Sequence, residues 1–189
     1  MPWKNGSGTT TELIVTPAGA ALDAFRWRVS IAEVGTSGPF SAFPGCDRIL
    51  VQTDGAPMTL THAGHGAHPL ELLRPHAFDG EWATEARLAT VGADVGEGAR
   101  DFNVITRRTE ARAQVTVVRA GAEWGTVGAP SRVHFVHALR GATTVAGDGV
   151  TIALPTGESA VVNEAIALRV AACEGAVALV VAIETRDEM

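Results

Sequence analysis

RILVQTDG, Arg48 to Gly55, packs strand-forming residues into a short run and ends it on an Asp-Gly turn; HFVHALRG, His134 to Gly141, does the same and ends on Arg-Gly. Laying the first over the second also places DFNVIT (Asp101 to Thr106) on ALVVAI (Ala178 to Ile183), with strand order and turn positions kept although few residues are identical. The two halves of the chain therefore read as a diverged internal duplication.

Outward from these segments the same rhythm holds, because 21 Gly and 9 Pro punctuate short stretches rich in Val, Ile, Thr and Ala. Strands are expected over Thr9 to Thr16, Phe25 to Ile31, Met58 to His62 and Gln114 to Arg119, and again over Gly149 to Leu154 and Ala165 to Ala171. No long helical period interrupts them. Two tandem all-β units of roughly 80 residues predict jelly-roll barrels of the cupin type, a bicupin of the RmlC-like fold. The expected division is 1–120, a first barrel carrying a polar pocket, and 121–189, a structural second barrel. The overlay assigns those roles, since Asp101 and Asn103 fall where the second half has Ala178 and Val180.

Of the 189 residues 46% are hydrophobic and 19% charged, with a net charge of -6, so no basic footprint for a nucleic-acid backbone is present. The longest apolar run, Ala176 to Ile183, is far short of the roughly 20 residues that span a bilayer, and no membrane partner is expected. Cys46 and Cys173 lack zinc or CxxC spacing, which suits a reducing compartment. The expected location is the cytoplasm, and a homodimer is compatible with this reading.

Chemistry concentrates in the first half. PWKNGSGTTTE, Pro2 to Glu12, sets Lys4 and Asn5 beside glycines that flank Ser7, without the spacing of a P-loop. On RDFNVITRR the period of two puts Asp101, Asn103, Ile105 and Arg107 on one face, where an acid and a base can pair with each other or meet a ligand. Arg28 shares a face with Ser30, and Ser41 and Arg48 add a hydroxyl and a guanidinium suited to a carboxylate. This inventory favours a small anionic, hydrogen-bonding ligand. His62, His65 and His68 form an HxxHxxH series in a Gly-rich turn; without a Glu at useful spacing they read as solvated loop histidines rather than metal ligands. Cys46 and Ser41 sit in no nucleophile elbow.

PWKNGSGTTTE, FRWRVSIAEV, GPFSAFPGCDRIL and DFNVITRR, in this order, resemble the HutD/Ves family. The resemblance implies a double cupin, often encoded near histidine-utilisation genes or described as stress-induced, that lacks the usual cupin metal ligands. It also implies that Lys4, Asn5, Glu12, Arg28, Ser30, Ser41, Arg48, Asp101, Asn103 and Arg107 line one pocket. Two departures stand out: Ser7 interrupts the usual triple glycine, and the chain begins at the motif where relatives often carry another β segment. A regulatory accessory protein of histidine utilisation is expected, binding a small anionic metabolite such as urocanate or formiminoglutamate, with no catalytic residue, metal or cofactor. The rival is a cupin enzyme, either metal-dependent through His62, His65, His68 or His76, or metal-free with Asp101 as general base.

Overall fold

The computed structural model describes residues 1–3, 6, 8–90, 98–127, 132–163 and 167–186. Among them every regular element is a β-strand, and the chain divides into two compact units, Met1–Glu110 and Ala111–Met189.

In the first unit, β1 (Gly8–Thr16), β2 (Trp27–Val34), β3 (Gly38–Pro39), β4 (Cys46–Gly55), β5 (Met58–His62), β6 (Gly66–Pro69), β7 (Pro75–Asp79), β8 (Thr84–Leu88) and β9 (Ala99–Arg107) form two sheets. Their orders are β1-β2-β9-β4-β7 and β3-β8-β5-β6. Val34, Leu50 and Phe78 from the first sheet meet Met58, Leu60 and Ala86 from the second in a buried apolar cluster, the interdigitated core of a sandwich.

The second unit holds β10 (Ala111–Arg119), β11 (Glu123–Val127), β12 (Arg132–Arg140), β13 (Thr143–Gly147), β14 (Val150–Leu154), β15 (Ser159–Asn163), β16 (Ala167–Ala172) and β17 (Val177–Thr185). Its sheets run β10-β17-β12-β15 and β11-β16-β13-β14, the orders of the first unit without β1. The duplication reaches the level of register. Arg48 pairs with Ile105, Leu50 with Asn103 and Gln52 with Asp101; His134 pairs with Ala182, Val136 with Val180 and Ala138 with Ala178. A bulge follows at the same place in each, between Gln52 and Asp54 and between Ala138 and Arg140.

Hydrogen bonding therefore runs within two sheets per unit, a cupin-like sandwich rather than a closed barrel. β10 pairs along its whole length with β17, so Gln114–Arg119, expected as a strand of the first barrel, lies in the second unit. On β17 the positions of Asp101 and Asn103 are taken by Ala178 and Val180, buried with Val118 of β10 in an apolar cluster.

Candidate functional site

Three neighbouring strands of the first unit, β2, β9 and β4, lay the expected polar residues out in cross-strand rows. Arg28, Ile105 and Arg48 form one row; Ser30, Asn103 and Leu50 the next; Ala32, Asp101 and Gln52 the third. Side chains on one face of adjacent strands stand next to each other, so residues remote in sequence share one surface. Over it lies a cavity of about 640 Å³ lined by Arg28, Ser30, Ser41, Arg48 and Asn103 together with Trp3, Leu22, Phe40, Phe43 and Ile105.

Arg48 is the centre of this cavity. It is only 5% exposed, and its guanidinium lies 5.4, 5.4 and 5.1 Å from the ring centres of Phe40, Phe43 and Phe78. It donates to Asn103 Oδ1 at 2.8 Å and to the Ser41 carbonyl at 3.2 Å, while its Nε has no hydrogen-bond partner among the described residues. Burial lowers its pKa to about 10, opposed by Asp101 and reinforced by Arg28. Arg28 differs, because its Nε is paired with Glu12 Oε2 at 2.8 Å.

Asn103 lines the cavity, and Asp101 lies next to it on β9, two residues away on the same face. Asn103 Nδ2 donates to Asp101 Oδ1, and Asn103 Oδ1 accepts from Arg48. Asp101 is fully buried and its Oδ2 finds no partner among the described residues. Burial pushes its pKa up to about 7, against the pull of Arg48 and the Asn103 hydrogen bond. Asp101 is not among the residues lining the cavity.

Arg107 is also absent from the lining. Its guanidinium donates to the carbonyls of Phe25 at 3.1 Å and Asp23 at 2.7 Å, tying down the segment between β1 and β2. Lys4, Asn5 and Ser7 lie outside the described residues. The sequence reading missed the aromatic wall, Trp3, Phe40 and Phe43, although GPFSAFPG carries two of these rings on either side of Ser41. Trp3 donates to Thr10 Oγ1 at 2.7 Å and meets Phe40 edge-on.

The histidines are not all solvated loop residues. His62 is 1% exposed. Thr84 Oγ1 donates to the Trp82 carbonyl and so accepts from His62 Nδ1; His62 Nε2 then accepts from His76 Nε2 at 3.0 Å. Burial, then His76, His68, His65 and Arg48, push the His62 pKa down to about 4, and His76 shifts the same way through burial and His68. His65 stacks on Trp82 at 3.7 Å. Among the described residues no group of three His, Cys, Asp or Glu side chains is placed to hold a metal ion.

Fold and site together define a cupin-like protein of two all-β units, with a cavity lined by a buried arginine in the first. The chain belongs to the HutD family, whose model matches residues 1–180. It is 35% identical over 134 residues to Protein Ves of Escherichia fergusonii, a match covering 71% of this chain and 65% of that protein. It is 40% identical over 115 residues to an uncharacterised 21.2 kDa protein in the hutC 3' region of Pseudomonas putida, covering 61% of this chain and 57% of that one; the chain thus spans less than two thirds of these curated relatives. Among solved structures, HutD from Pseudomonas fluorescens SBW25 superposes with a TM-score of 0.80 at 29% identity, covering 99% of this chain and 94% of that one. The conserved protein of unknown function PA5104 from Pseudomonas aeruginosa PAO1 gives 0.85 at 31%, covering 97% and 93%. A cupin 2 conserved barrel domain protein from Leptotrichia buccalis, at 11% identity with 98% and 92% covered and a TM-score of 0.56, shares the fold.

Proposed function

We propose that the protein is a small-molecule-binding accessory protein of histidine utilisation that holds a carboxylate metabolite on Arg48. One observation carries this reading: a fully charged side chain is buried beside a cavity with a donor, Nε, that nothing among the described residues satisfies. A buried cation left short of partners is costly to the fold, and a ligand carboxylate supplies what is missing. Ser30 and Asn103 offer hydrogen bonds beside it. Trp3, Phe40 and Phe43 favour a flat, conjugated body, as in urocanate, over the flexible dicarboxylate formiminoglutamate. The link to histidine utilisation rests on family membership and on the hutC-region relative. Asp101 is buried, bonded to Asn103 and absent from the cavity lining, which favours a supporting role over that of a general base acting on substrate.

Calorimetric titration with each metabolite tests the reading. A charge-assisted bond to a desolvated guanidinium contributes about 1.5 to 3 kcal/mol, so Arg48→Ala is expected to weaken urocanate by about tenfold or more. Equal affinity in wild type and variant contradicts the assignment, and turnover of either metabolite moves the protein into the enzyme class.

A further inference from the structure

We propose that Asp101 is a positioning residue that takes up one proton from solvent, onto Oδ2, when an anion settles on Arg48. The inference rests on the reading that Arg48 holds an anion and assigns the site a regulation by pH.

Its basis is the charge inventory around β9. From β2, Ala32 and Ser30 bring no charge to Asp101, and Arg28 is compensated by Glu12 of β1 at 2.8 Å. From β4, Gln52 pairs with Asp101 in the ladder, but its side-chain amide is engaged elsewhere, donating to the Ala56 carbonyl at 2.7 Å and accepting from the Met58 amide. From the facing sheet, His62 of β5 is the titratable group within electrostatic reach of Arg48, and it is held neutral. Arg48 is therefore the cation that sustains an ionised Asp101, and it does so through Asn103, whose amide bridges the two.

Asp101 Oδ2 is buried without a hydrogen-bond partner among the described residues, so beyond the Asn103 bond to Oδ1 the carboxylate is favoured chiefly by the field of Arg48. A ligand anion on the guanidinium cancels that field. The carboxyl then loses its counter-charge in a site where burial already favours the neutral acid. Protonation restores one net positive charge facing one ligand negative charge. Each unit by which the Asp101 midpoint rises on binding corresponds to about a tenfold loss of affinity as the pH climbs past it.

Formate is the probe, since it stays ionised above about pH 5 and brings no titrating group of its own. The Asp101 carboxyl is followed by carbon NMR from pH 5 to 9, with and without saturating formate, while the Asn103 side-chain amide reports occupancy. The expected result is a rise of the midpoint by about one unit, with formate about tenfold weaker at pH 9 than at pH 6 and bound without pH dependence by Asp101→Asn. Formate that shifts the Asn103 signals but leaves the Asp101 midpoint unmoved overturns the proton uptake and leaves the anion site standing. Formate that moves neither overturns both. If Asp101→Asn does not fold, the wild-type titration alone decides.

Discussion

Arg48 and Asp101 face each other across Asn103, yet burial moves both toward their neutral forms. For two opposite charges this means that desolvation outweighs their attraction, so the pair does not serve stability. Replacing both, Arg48→Met with Asp101→Asn, is expected to leave the urea midpoint equal or higher while abolishing anion binding. The gain is largest at pH 8, because a carboxyl raised to about 7 contributes stability at low pH that is lost as the pH rises through that value. A lower midpoint at pH 8 contradicts this account. His62 gives the opposite slope. Held neutral to about pH 4 in the fold but free to protonate near 6.5 when unfolded, it destabilises the protein as the pH falls between those values. His62→Gln should flatten that part of a pH-stability profile, and an unchanged slope argues against the buried imidazole. Arg48, Arg28, Ser30 and Asn103 were legible in the sequence, since alternation assigns a face. Depth was not legible: period two places Asp101, Asn103 and Arg107 on one side of β9 without showing that Asp101 is fully buried away from the cavity lining while Arg107 turns to the carbonyls of Asp23 and Phe25.

At the scale of elements, the two Gly-ended strands that revealed the duplication are held by the same corner. Gly55 has φ +86°, and a Cβ there would lie 2.2 Å from the Gly98 carbonyl oxygen; Gly141 has φ +65°, and its Cβ would lie 2.8 Å from that of Ala176. Gly64, in the turn after β5, also has positive φ but nothing within 4 Å of an added Cβ. Gly64→Ala therefore carries only backbone strain, about 1 kcal/mol. Gly55→Ala adds a collision with the backbone and is expected to cost at least about 2 kcal/mol more in denaturant unfolding; equal costs would mean that the corner relaxes freely. The histidines show what local reading cannot do. HxxHxxH is a turn motif in sequence, but β5 and β6 fold back so that Leu60 pairs with His68. β7, in the other sheet, brings His76 against His62, a contact between sheets that no spacing encodes.

At the scale of the whole chain, one strand arrangement occurs twice with different side chains on it. By register, Arg28, Ser30 and Arg48 correspond to Gln114, Thr116 and His134, and Asp101 and Asn103 to Ala178 and Val180. The strand overlay was legible because turn residues and β-branched runs survived in both halves. The unit boundary at Glu110 was less so, because Gln114–Arg119 reads equally well as a last strand or a first one until β17 claims it. Function is expected to follow the polar copy. Ser30→Val should weaken urocanate binding severalfold, whereas Thr116→Val, its counterpart, should leave the calorimetric Kd within about twofold; comparable losses at both positions would deny the division between units.

The central claim is that the first unit holds a carboxylate on Arg48, and a crystal structure of the protein grown with urocanate tests it most directly. The account predicts the ligand carboxylate within hydrogen-bond distance of the Arg48 guanidinium, its flat body against Phe40 and Phe43, and an empty second unit. Urocanate bound in the second unit, or in the first with its carboxylate turned away from Arg48, would contradict it.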